Sequence, residues 1–183
     1  MDDFQIALHP PNNQVVEWRQ PNAMQRQFEL NCGDTLLATI EFASAFGSLA
    51  LAVCSQGRWT FKRMGFFNTR VVVRREGEEL DLGVYRPRWT NAEGAFEMNR
   101  GASYTWKTAN FWATRYLWLA PSGMELVTYR SGVLKSKLSD TFKNQARMEV
   151  APGGSLVSEL PLLALLGFYL IELQREDSAA AAV

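Results

Sequence analysis

The feature that most limits the fold of this chain is an apolar run near its C-terminus. From Leu160 to Ile171 every residue except Pro161 and Gly167 is hydrophobic, so a helix over this run would be apolar on all sides. Such a helix lies in a membrane or is enclosed by protein. A bilayer span needs about 20 apolar residues, whereas this run is short and matches strands of about six to eight residues standing around it. A helix enclosed by protein and a membrane anchor remain the two alternatives, and the length favours the first.

The predicted helix runs from Glu159 to Leu173. Ser158 is the expected N-cap, and Glu159 would lie in the first turn, where the helix dipole favours a negative charge. Pro161 falls early enough in the helix that its missing N–H costs nothing. Residues 175–183, which end in SAAAAV, are expected to form a disordered tail.

The body of the chain reads as strands. Short apolar or alternating runs recur between residues 15 and 150, separated by Gly, Asn, Asp, Pro or Ser, which is typical of an all-β domain. The predicted segments are Val15–Trp18, Phe28–Asn31, Thr35–Phe42, Leu49–Cys54, Arg58–Lys62, Thr69–Arg75, Glu79–Tyr85, Ala95–Met98, Ser103–Lys107, Phe111–Leu119, Met124–Arg130, Val133–Leu138 and Ala146–Val150. These thirteen segments correspond to about twelve strands in tandem hairpins, which favours antiparallel pairing in a sandwich or barrel.

The length and the net charge of the chain limit the classes of function that it can have. The chain has 183 residues, enough for about one domain. Nineteen Lys and Arg balance nineteen Asp and Glu, so the formal net charge is zero. This balance argues against nucleic acid as a partner and against a whole-molecule attraction to anionic membranes, while a local basic patch stays possible.

The cysteine and histidine content argues against several kinds of site. Only Cys32, Cys54 and His9 are present, and they cannot supply a zinc site. A Ser-His-Asp triad would have to use His9, and the chain has no GxSxG motif. We therefore expect no metal, no cofactor and no disulfide. Two unpaired thiols without a secretory leader suggest a cytoplasmic location, with membrane association left open.

Aromatic residues are concentrated in the stretch YTWKTANFWATRYLW, residues 104–118. Trp112, Tyr116 and Trp118 share strand parity, while Phe111 and Leu117 fall on the other face. Aromatic platforms beside cations can stack nucleic acid bases, but two apolar faces favour packing in a core or interface.

The order of these elements resembles the tubby-like superfamily, which includes tubby C-terminal domains, LURP-one-related proteins and phospholipid scramblases. The resemblance lies in LPLLALLGFYLIEL (Leu160–Leu173), in the hairpins from Arg58 to Val150, and in the stretches GRWTFKRMGFF and GMELVTYR. It implies an antiparallel closed barrel of about twelve strands enclosing a hydrophobic C-terminal helix. The domain would cover residues 15–174, after an N-terminal loop segment of residues 1–14.

Basic side chains recur at alternate positions of two predicted strands. Arg70 and Arg74 would share one face, as would Lys135 and Lys137. Because the barrel would be filled by the helix, a ligand would bind outside, and the resemblance implies anionic phospholipid head groups. The alternative is a solvated face neutralised by Glu76, Glu78, Glu79 and Asp81 on the adjoining hairpin.

The leading functional hypothesis is a non-enzymatic binding or scaffold module that recognises anionic membrane lipid or a protein partner. A second hypothesis is a scramblase-like membrane protein anchored by its C-terminal helix. A third is an all-β enzyme using carboxylates such as Asp81, Glu93, Glu97 and Glu125, which would require two of them in one deep cleft. The sequence does not predict the oligomeric state.

Overall fold

The computed structural model describes Leu8 and residues 15–65, 68–88, 93–131 and 146–182. The described strands are β1 (Val16–Arg19), β2 (Gln27–Cys32), β3 (Thr35–Phe42), β4 (Ala50–Cys54), β5 (Gly57–Met64), β6 (Arg70–Arg75), β7 (Asp81–Pro87), β8 (Glu93–Met98), β9 (Ser103–Thr108), β10 (Arg115–Leu119), β11 (Glu125–Ser131) and β12 (Ala146–Val150). A short 3-10 helix, η1 (Gly154–Leu156), follows, and then one long helix, α1 (Leu160–Ala181).

The strands form a closed antiparallel barrel in which each strand pairs with its sequence neighbours. The barrel closes at β1, where Val16 faces Cys32 on β2 and Met148 on β12. Closure leaves no sheet edge exposed to pair with another chain. The fold class expected from the sequence and its resemblance, twelve antiparallel strands in a closed barrel around a C-terminal helix, is therefore confirmed.

One predicted strand begins later than expected. The prediction Phe111–Leu119 is wrong in its first half, because β10 begins at Arg115. The Asn110 side-chain oxygen accepts hydrogen bonds from the backbone N–H groups of Thr114 and Arg115, at 3.0 and 2.9 Å. Ala113 in the same turn has a φ of 49°. The predicted strand Val133–Leu138 lies outside the described residues.

Helix α1 fills the barrel. Every side chain from Leu160 to Leu173 is buried, on all sides of the helix. Of the two alternatives for the apolar run, the structure shows the helix enclosed by protein, because the barrel strands surround it. Among the described residues, no helix is long and apolar enough to cross a membrane.

The two ends of α1 differ from the prediction. Glu159, not Ser158, occupies the N-cap, and its carboxylate instead accepts hydrogen bonds from the hydroxyls of Tyr104 and Ser158, at 2.9 and 2.8 Å. The helix continues to Ala181, so residues 175–181 of the expected disordered tail are helical. Ion pairs from the barrel to Glu176 and Asp177 hold these last turns, and alanine is the best helix former.

Hydrogen bonds from the wall to the helix backbone fix the position of α1. The Trp118 indole N–H donates to the Leu163 carbonyl at 2.9 Å, and the Tyr129 hydroxyl lies 3.0 Å from the carbonyls of Leu163 and Ala164. The close approach of these two side chains to the helix backbone requires a glycine in the helix. A Cβ at Gly167 would lie 2.5 Å from the Tyr129 hydroxyl and 2.7 Å from the Trp118 nitrogen.

We therefore expect the substitution Gly167→Ala to destabilise the protein. In an ordinary helix interior the same change stabilises by about 1 kcal/mol. Here the added methyl group pushes two buried rings away from their acceptors, and we expect the free energy of unfolding to fall by about 1–3 kcal/mol. Urea denaturation measures it, with Ser178→Ala in the exposed last turns as the control. A Gly167→Ala protein as stable as the wild type would contradict this account of the helix–wall contact.

Candidate functional site

The last turns of α1 leave the barrel at one end, which we call the exit end. On one side of the helix, two arginines bind it to the wall. Arg26, between β1 and β2, forms an ion pair with Glu176, and Arg63 on β5 forms one with Asp177 at 2.7 Å. Arg26 also donates to the carbonyl of Gly47 at 2.6 Å and lies 3.8 Å from the centre of the Phe42 ring. The helix is thereby fixed against the β2–β5 side of the rim.

Next to the Arg63–Asp177 pair, between α1 and the strands β6, β7 and β9, lies a cleft of about 350 Å³. Apolar and aromatic side chains from three strands and the helix line its inner part: Val71, Tyr85, Trp106, Leu170 and Leu173. Polar side chains line its mouth: Arg63, Thr69, Arg70, Gln174, Asp177 and Ser178. The cleft is therefore amphipathic, with an apolar inner part beneath a polar mouth.

Arg70 and Tyr85 are two polar residues of the cleft lining whose side chains form no ion pair or hydrogen bond with a described residue. Arg70 is exposed and forms no ion pair with any described residue, whereas Arg63 is paired with Asp177. The Tyr85 hydroxyl makes no hydrogen bond to a described residue, and burial raises the pKa of this phenol. Gly94 makes room for this tyrosine, since a Cβ there would lie 2.2 Å from the hydroxyl. The cleft thus offers a guanidinium at its mouth, while Tyr85 forms part of its inner wall.

The four residues predicted as ligand-binding are placed differently. Arg70 and Arg74 share the outer face of β6, as the alternation predicted, and Arg70 borders the cleft. Arg74 lies four residues along the strand, about 13 Å away at ~3.3 Å per residue. Its guanidinium is bonded to Asp81 at 2.7 Å. Lys135 and Lys137 lie outside the described residues.

The acidic residues on the outer wall neutralise neighbouring cations. Asp81 pairs with Arg74, as the alternative of a neutralised face requires, and Glu76 pairs with Arg58. A hydrogen bond from Arg58 lowers the pKa of the Glu76 carboxyl. The other carboxylates considered for catalysis are paired as well: Glu93 with Arg88 and Lys107, Glu97 with Arg86, and Glu125 with Arg115.

The aromatic stretch divides into two parts. Trp106, Tyr116 and Trp118 are buried, and the rings of Trp106 and Tyr116 stack at 5.6 Å. For these residues the expected core packing is confirmed. Phe111 and Trp112 are instead 92% and 78% exposed in the turn before β10, because Asn110 ends the extended conformation there. Their strand parity therefore does not place them in the core.

Exposed apolar side chains stand on several connections at the exit end. Met24 lies between β1 and β2, Phe46 between β3 and β4, and Phe111 with Trp112 between β9 and β10. Sequence reasoning missed this grouping, since these positions are far apart along the chain. It also missed the cleft, because Tyr85 and Trp106 have the sequence pattern of core residues. The one available signal was the change from apolar to polar after Leu173.

Comparisons with known proteins do not assign this chain to a family. No family model, curated protein or solved structure matches it. The class defined by the geometry is an antiparallel barrel filled by its own C-terminal helix, with an amphipathic cleft beside that helix.

The five tyrosines of the chain give a pH dependence of stability. All five are buried, and desolvation raises the pKa of each phenol: Tyr85, Tyr104, Tyr116, Tyr129 and Tyr169. A phenol with a higher pKa in the folded chain than in the unfolded chain stabilises the folded state below the unfolded pKa of about 10. This stability is lost as the pH rises above that value. We expect tyrosinate absorbance to rise only together with the loss of the circular dichroism signal. Tyrosinate formation near pH 10 in a chain that stays folded would contradict this burial.

Proposed function

We propose that this chain is a non-enzymatic, tubby-like binding module that recognises an anionic phospholipid head group at its exit end. One observation carries the proposal: the same end of the barrel holds an amphipathic cleft with Arg70 at its mouth and exposed aromatic side chains on its connections. A guanidinium binds phosphate oxygens through paired hydrogen bonds. Aromatic side chains with polar edges favour the interface between a membrane and water.

The size of the cleft suits part of a lipid. At about 350 Å³ it lies at the small end of the range for ligand pockets, roughly 300–1,000 Å³. A head group at Arg70 with the adjoining carbons against Leu170 and Leu173 matches the polar mouth and the apolar inner part. The ligand would enter through the mouth, and the acyl carbons next to the head group would leave the bilayer to lie in the cleft.

The architecture supports the tubby-like resemblance without deciding function. The resemblance implies a closed barrel around a hydrophobic helix, and this chain has that architecture. Because α1 occupies the interior, a lipid ligand has to bind at the surface or at an end. The cleft beside α1 meets that requirement.

The other hypotheses find less support in the geometry. A scramblase-like anchor would use the run Leu160–Leu173, which the barrel encloses. An enzyme of the type considered would need two carboxylates in one cleft. Among the described residues that line this cleft, Asp177 is the single carboxylate, and it is paired with Arg63.

Vesicle binding tests the proposal with two matched variants. Arg70→Gln and Arg74→Gln remove the same charge from the same face of β6, but only the first borders the cleft. At low salt we expect the wild type and Arg74→Gln to co-sediment with phosphatidylcholine vesicles that contain a phosphoinositide, and Arg70→Gln to bind much less. Binding should weaken as salt rises towards 0.1 M, where the screening length is about 10 Å.

Two further variants extend this vesicle-binding experiment. Trp112→Ser should weaken vesicle binding without changing stability, because the side chain is exposed. Asp177→Asn should strengthen it, because the change removes a negative charge from the mouth and releases Arg63. A wild type that binds no anionic vesicles at low salt, or an Arg70→Gln protein that binds like Arg74→Gln, would overturn the proposal.

A further inference from the structure

Three arginines lie side by side on the outer face of β10, β11 and β12. Arg115 on β10 faces Arg130 on β11, and Arg130 faces Arg147 on β12. Their strand neighbours Tyr116, Tyr129 and Met148 point into the core, so the arginines point outwards. We call these three residues the arginine row. Side chains directly opposite each other on paired strands lie about 5 Å apart, and like charges in that position destabilise the sheet.

Nearby carboxylates only partly neutralise the arginine row. Glu17 faces Arg147 across β1 and β12, but its carboxylate accepts its hydrogen bonds from Arg19. Glu125 lies 3.6 Å from Arg115, a longer separation than in a good hydrogen bond. Arg130 and Arg147 form no ion pair with any described residue. Glu149 also lies on this face of β12, two residues from Arg147, so the arginine row is a local cluster within a surface of mixed charge.

Two hydrogen-bond donors in the arginine row are buried and have no acceptor among the described residues. The Nε atoms of Arg115 and Arg147, one on each side of Arg130, are shielded from solvent and have no hydrogen-bond partner among the described residues. A buried charged donor without an acceptor is costly, and an isolated one in a folded protein calls for an explanation. Two of them in one row show that this surface has more hydrogen-bond donors than its own described acceptors satisfy.

We infer that the arginine row is a binding site for a phosphate group. A carboxylate presents two coplanar oxygens and matches one guanidinium fork, whereas a phosphate group presents three terminal oxygens in different directions. Three guanidinium groups on adjacent strands match the second geometry. The phosphate would lie over Arg130 and accept hydrogen bonds from Arg115 and Arg147, which would offset the repulsion within the row. The row is separate from Arg70 at the mouth of the cleft, because β7, β8 and β9 lie between β6 and β10 in the barrel.

Thermal unfolding with inorganic phosphate tests the inference. The melting temperature is measured against phosphate concentration at constant ionic strength, with chloride as the balancing anion, for the wild type, Arg130→Gln and Arg100→Gln. Arg100 is the matched control, since it is exposed in the turn at the other end of the barrel and forms no ion pair with a described residue. We expect a saturable rise for the wild type and for Arg100→Gln. For Arg130→Gln we expect the apparent affinity for phosphate to fall by about tenfold or more.

A second readout separates binding from simple charge effects. In chloride alone, Arg130→Gln should melt no lower than the wild type, because the substitution removes repulsion and breaks no described ion pair. Arg70→Gln should keep the full phosphate response, so failure of the lipid proposal would not remove this one. Either an unresponsive wild type or an Arg130→Gln protein that responds like the wild type would overturn the inference.

The same variants identify the source of the phosphate. If the group belongs to a lipid, phosphatidylcholine vesicles containing phosphatidic acid should bind Arg70→Gln more strongly than the double variant Arg70→Gln with Arg130→Gln, since neither protein has the arginine of the cleft. A melting response to phosphate without that difference on vesicles would assign the site to a soluble phosphate ester.

Discussion

The structure depends on the contact between the barrel wall and the backbone of its own C-terminal helix. Trp118 and Tyr129 bring their polar groups to the carbonyls of Leu163 and Ala164, where Gly167 leaves the space for both rings. A twelve-stranded barrel is wide, and without α1 its apolar inner face would have nothing to pack against. Because the helix takes that space, ligand binding is moved to the outer wall and to the rim where the helix emerges.

Charge is distributed so that most of the outer wall is neutral. Arg58, Arg74 and Arg86 each pair with a carboxylate on a neighbouring strand or hairpin. Pairs of this kind add little stability on an exposed surface, but they remove the positive field from those strands. Arg70, Arg130 and Arg147 are among the arginines without an ion pair to a described residue, and all three lie near the exit end. A chain of zero net charge therefore still presents local cationic sites.

Much of the fold could be predicted from the sequence, since hairpin signals and an all-round apolar helix are local patterns. What could not be predicted depends on contacts between distant residues. The helix extends to Ala181 because Arg26 and Arg63 bind Glu176 and Asp177 more than 100 positions away. Likewise, the Asn110 side chain holds the turn before β10, so this strand begins later than strand propensity predicts. Of the candidate site, alternation placed Arg70 on the outer face, but only the folded chain brings Tyr85, Trp106 and α1 beside it.

Amide hydrogen exchange tests most directly whether the barrel depends on its helix. If α1 is the core around which the strands close, the amides of residues 164–173 exchange only through global unfolding, as slowly as the most protected amides of β6 and β11. Added denaturant should then accelerate exchange in the helix and in those strands to the same extent. Exchange of the α1 amides through a smaller opening, while the strands remain protected, would show that the barrel stands without its helix and would contradict the account.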